Sequence, residues 1–161
     1  MMSEKPNDLW GGSYSARDLV TPRGLLVEQA DVLNNLTSGV LHATVESGEL
    51  DGSVGHVLKI EAPRLARSNS DIVTVVHDAA LFPVKVRSDM LGGEVVCNDY
   101  DLYALTIKKV LSGDKTRRLV SALISHSNEM ERVQRARHAT YVVGPDSPDK
   151  NTPRPTLVRA N

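Results

Sequence analysis

The residues of this chain that could do chemistry are few, and their spacing decides what they could do. His77 stands beside Asp78 in the apolar stretch DIVTVVHDAALFPVKV (71–86), and the lone cysteine, Cys97, closes the later apolar run EVVC. A thiolate next to an imidazole is the pairing of a nucleophile with its base, so His77, Asp78 and Cys97 form the candidate dispersed site of a small enzyme. Adjacent residues of a strand point to opposite faces, so sequence adjacency does not make His77 and Asp78 a dyad. Cys97 reaches His77 only if their two strands are neighbours. Flanked by Val95 and Val96, it reads instead as a small buried hydrophobe.

Other chemistries lack their parts. His42 and His56 fall on adjoining alternating runs and could supply half a zinc site if they shared a face. The alternation that turns Leu41, Ala43 and Val45 inward sends His42 outward, whereas His56 goes inward with Leu58 and Ile60. A metal-dependent nuclease with (Asp/Glu)-x-Lys on a strand is also excluded. Two positions before Lys59, Lys85, Lys108 and Lys109 stand Val57, Pro83, Thr106 and Ile107, none a carboxylate. No GxSxG elbow occurs, and the pairs Gly11-Gly12 and Gly92-Gly93 belong to no phosphate-cradling motif. No metal and no cofactor is expected.

One cluster stands above its background. Lys108, Lys109, Lys115, Arg117 and Arg118 surround a helix-to-helix turn at Gly113, where only Asp101 and Asp114 oppose them between 101 and 120. Lys108 and Lys109 suit the negative end of the first helix, but Lys115, Arg117 and Arg118 sit at the positive end of the second. Stability alone does not explain cations there, so the corner is expected to meet an acidic protein surface. No aromatic side chains are interleaved with it to stack bases, which argues against nucleic acid.

The elements that position these residues follow from periodicity. Thr21 is a candidate N-cap, Pro22 suits a first helical position, and Leu26, Ala30, Leu33 and Leu36 give an apolar stripe that Gly39 closes. The period then drops to two in VLHATVE and HVLKIEAP, an antiparallel hairpin around the glycine-rich SGELDGSVG. DIVTVV reads as a third strand, LFPVKV as a fourth with one wet face, and EVVC as a short fifth. Asn98 or Asp99 caps a helix with Tyr103, Ile107, Val110 and Leu111 inward. A second helix starts at Asp114, and the polar cluster Ser125-His126-Ser127-Asn128 allows it to break or to carry its stripe on through Met130 and Val133.

The expected fold is therefore α+β: an N-terminal helix, an antiparallel meander of four or five strands, and two C-terminal helices packed on one sheet face. A flexible arm (1–20) precedes a single domain (21–139), and a proline-rich disordered tail (140–161) follows it.

A chain of 161 residues with 40% hydrophobic and 24% charged side chains fits one such domain. Its net charge of −1 gives no overall attraction to nucleic acid or membrane, although residues 1–62 carry −5 and the remainder +4. A single cysteine excludes an internal disulfide framework, the N-terminus carries no secretory pattern, and no apolar run approaches the ~20 residues of a membrane helix, so a cytoplasmic location is expected. With no catalytic constellation in view, the expected function is a non-catalytic interaction module: an adaptor, an immunity-type inhibitor or an assembly subunit. It would use the basic corner and one sheet face, with homo-oligomerisation possible through the sheet.

Overall fold

The structure, a computed structural model, describes residues 20–66 and 68–142. Apart from Val20 and residues 140–142, the expected arm and tail lie outside the described residues.

Thr21 caps α1 (Pro22–Leu36) by accepting the Gly24 N–H on its hydroxyl, and Pro22 opens the helix. After a turn in which Gly39 takes a positive φ, β1 (His42–Leu50) and β2 (Ser53–Glu61) form a hairpin. Its loop is only Asp51-Gly52, both at positive φ, the two-residue geometry whose twist matches that of paired strands. The glycine-rich stretch read as turn is therefore mostly strand. Gly48 and Gly55 face each other within the ladder, where a turn signal in sequence is overridden by pairing.

The strands β3 (Asn69–His77), β4 (Val84–Ser88) and β5 (Gly93–Cys97) complete an antiparallel sheet in the order β1-β2-β3-β4-β5. β4 starts later than its sequence pattern suggests, because Leu81, Phe82 and Pro83 still belong to the connection. A bulge opposite Leu58/Lys59 lets both Ile72 and Val73 enter the core.

Register sorts the two faces. The row Val45, Leu58, Val73 and the row Ser47, His56, Val75, Val86, Val95 look toward the helices. The opposite face carries the ion pairs Lys59–Glu46, Lys59–Asp71 and Arg87–Glu94.

Asp99 caps α2 (Tyr100–Leu111) by accepting the Leu102 N–H. Tyr103, Ile107 and Val110 bury against β4 and β5, and the Tyr103 hydroxyl donates to the Pro22 carbonyl at 2.8 Å, tying α2 to the first turn of α1. Burial without a countercharge raises the Tyr103 pKa, which keeps the phenol a donor.

α3 (Asp114–Val142) is one uninterrupted helix through Ser125–Asn128, so the domain boundary expected at 139 falls inside it. Its apolar stripe is buried only as far as Leu123. Met130 and Val133 are exposed, and beyond Ser127 the helix is held by Arg64–Glu131. No described helix is long and apolar enough to cross a membrane.

Two substitution series test this layering. Val84→Ala and Leu58→Ala remove fully enclosed methyls and should each cost about 1–4 kcal/mol, against under about 0.5 kcal/mol for exposed Lys85→Ala. The Ser127 hydroxyl is buried with no hydrogen-bond partner among the described residues, so Ser127→Ala should stabilise by roughly 1 kcal/mol. Urea unfolding midpoints measure both, and equal losses at Val84 and Lys85 would overturn the assigned faces.

Candidate functional site

The basic corner divides. Lys108 and Arg117 line one groove of about 500 Å3 with Leu25 and Gln29 of α1, with Ala104, Ile107 and Leu111 of α2, and with Ser112, which caps α2. Lys115 turns the other way, its ammonium 3.5 Å from the Asp89 carbonyl in the β4–β5 connection. All five cations are exposed, and among the described residues none of them takes part in an ion pair.

Gln29 and Leu111 also border a second, more apolar hollow of about 190 Å3. Ala43, Leu58 and Ile60 form its floor, Val32, Leu33 and Leu36 one wall, and Thr116 and Val120 the other. The two hollows make one cleft between α1 and the α2–α3 corner. Leu25, Gln29, Val32 and Leu36 recur along α1 at spacings of four, three and four, so they share the helix face that borders it. Leu36 is 78% exposed and Val32 45% exposed, an apolar lip left in water.

The candidate enzyme residues are not assembled. β4 lies between β3 and β5, so the strands of His77 and Cys97 are not neighbours and the condition for a thiol–imidazole pair fails. Cys97 is buried, with its Sγ 3.5 Å from the Thr106 hydroxyl. Asp78 turns its carboxylate to the Ser53 hydroxyl at 2.8 Å, and what it offers His77 is its backbone carbonyl. A polar hollow of about 260 Å3 beside them is lined by His77, Asp78, Lys85 and Arg87 and does not include Cys97.

What sequence reading missed is a buried contact between two histidines. His42 faces water and His56 the core, as the alternation requires, but His77 lies diagonal to His56 on the same face. Their Nε2 atoms are 3.0 Å apart. For two neutral rings the contacts assign each donor and acceptor. The Asp78 carbonyl can only accept, so His77 carries its proton on Nδ1 (2.7 Å) and its Nε2 accepts. His56 must then donate from Nε2, which leaves its Nδ1 to accept from the Ser47 hydroxyl at 2.8 Å. Ser47 in turn accepts from the Arg23 Nε at 3.2 Å. The result is a directed chain from exposed Arg23 through Ser47, His56 and His77.

A second proton on His56 would turn Ser47 from donor to acceptor and set a charged ring near the Arg23 guanidinium. Burial, then the neighbouring His77, then Arg23 all hold the His56 pKa below its ordinary value. No third His, Cys, Asp or Glu groups with these rings among the described residues. Two imidazoles beside a guanidinium are a poor cradle for a cation.

The sign of the pH dependence follows. The unfolded chain takes up a proton on His56 near pH 6.5, whereas the folded chain resists it. This contribution to stability is complete above about pH 6.5 and is lost as pH falls through the lower folded value. The thermal midpoint should be level above about pH 7 and decline below it, and His56→Gln should flatten that decline. Scanning fluorimetry across pH 5–8 checks this, and parallel curves for the two proteins would place the acid sensitivity elsewhere.

Comparison of the chain with protein-family models, with curated proteins and with solved structures gives no match, so its function is argued from this geometry.

Proposed function

We propose that this protein is a non-catalytic interaction module of the cytoplasm, and that its cleft between α1 and the α2–α3 corner receives an acidic, amphipathic helix. The observation that carries the reading is an open apolar cleft with Lys108 and Arg117 on its rim. A helix laid into it would bury its apolar stripe against Leu25, Val32, Leu36 and Leu111 and bring flanking carboxylates to the two cations. α1 is 15 residues long, so three to four turns of partner helix, roughly 12–15 residues, would match it.

Support over the dispersed enzyme is geometric. The larger cleft contains none of His77, Asp78 and Cys97, and the hollow beside His77 lacks the thiol. The ion-paired outer sheet face offers few apolar groups, which moves the expected contact surface from the sheet to the helices.

The test uses two fluorescent designed peptides with the same leucine stripe, one flanked by glutamates and one by lysines. Anisotropy should show saturable binding of the glutamate peptide alone. Lys108→Glu with Arg117→Glu should weaken it by at least about tenfold and flatten its salt dependence. Val32→Ser with Leu36→Ser should weaken it without lowering the thermal midpoint, because both side chains are already exposed. Equal binding of the two peptides, or none, would remove the proposal.

A further inference from the structure

β1 is an edge strand nine residues long, and its outward backbone groups can be identified. The Asn34 carboxamide meets Ala43 twice: its Nδ2 donates to the Ala43 carbonyl at 3.1 Å, and its Oδ1 accepts the Ala43 N–H at 2.7 Å. Ala43 therefore points its amide groups away from β2. By the alternation of an antiparallel ladder, so do Val45, Ser47 and Glu49. None of these three has a backbone hydrogen-bond partner among the described residues. Such a row is a template for another strand.

We infer that this edge pairs with the same edge of a second copy of the chain, antiparallel about a two-fold axis at Ser47. Both ends of the row are closed. Asn34 occupies Ala43, and the turn at Asp51-Gly52 ends the strand. Of the antiparallel self-registers, the one centred on Ser47 uses Val45, Ser47 and Glu49 fully, placing Val45 opposite Glu49 and Ser47 opposite Ser47. On the outer face it sets Glu46 opposite Gly48, so no like charges stand directly across.

Charge favours a second copy over a foreign strand. Arg23 is exposed and bound at Ser47, Glu49 is exposed, and neither takes part in an ion pair among the described residues. In this register each Glu49 lies diagonal to the other copy's Ser47, within reach of the arginine held there. The two-fold axis makes that contact twice. The edge lies on the Arg23 and Asn34 side of α1, away from the cleft, so the two surfaces are independent.

Sedimentation velocity on the full chain tests the pairing. The wild-type protein should move from monomer to dimer as its concentration rises through the micromolar range. Glu49→Pro removes an outward N–H that β2 does not use and should hold the chain monomeric. Glu49→Arg should weaken dimerisation by at least about tenfold through repulsion from Arg23, and Arg23→Glu added to it should restore most of the loss. Should the proline variant fail to fold, the charge swap decides alone. A wild-type monomer at every concentration, a dimer indifferent to Glu49→Arg, or a charge swap that restores nothing would overturn the inference.

Discussion

A turn of two residues, Asp51-Gly52, sets the pairing of every residue in β1 with its partner in β2. Both residues need positive φ, which glycine adopts freely and aspartate tolerates better than most side chains do. Once the turn is fixed, Ser47 must face His56 and Ala43 must face Ile60. A slip by one residue would put His56 in water and Lys59 in the core. The Asn34 clamp on Ala43, the Ser47–His56 hydrogen bond and the apolar floor of the cleft all inherit this register.

The helix layer is less complete than the sheet beneath it. α1 covers β1 and β2, α2 covers β4 and β5, and the Tyr103–Pro22 hydrogen bond joins them at one end. α3 adds Leu123 to the core and then runs out past the sheet. The cleft exists because α3 does not close down on α1, and the same arrangement leaves Leu36 and Val32 in water. A protein that minimised exposed apolar area would fill that space. Its emptiness, bordered by cations, is what gives the interaction reading its physical content.

The polar chain, buried at His56 and His77 and open to water at Ser47 and Arg23, is a separate consequence of the fold. Four side chains and one carbonyl satisfy one another with each proton assigned, which is the condition under which polar groups can be buried at little net cost. It also places acid sensitivity in one corner of the sheet, where burial holds the His56 pKa below its ordinary value.

Much of this was legible in the residues themselves. The Thr21-Pro22 start, a cap at Asn98 or Asp99, the alternation of Val84 and Val86 with Lys85 and Arg87, and the opposite facing of His42 and His56 are local properties of sequence, and the structure has each, with Asp99 as the cap. The Asp-Gly pair even encodes the Ser47–His56 pairing, since a two-residue loop fixes partners by counting back from the turn.

Tertiary structure alone decided the rest. His77 meets His56 because of the β2–β3 register, which depends on an irregular loop and on a bulge at Ile72 that no period reveals. The separation of Cys97 from His77 depends on strand order. The splitting of the basic corner depends on which neighbours the turn meets, the β4–β5 connection at Lys115 and α1 across the groove from Lys108 and Arg117. These are relations between elements distant in the chain, set by which apolar faces can be buried together, whereas sequence patterns report only what each element buries by itself.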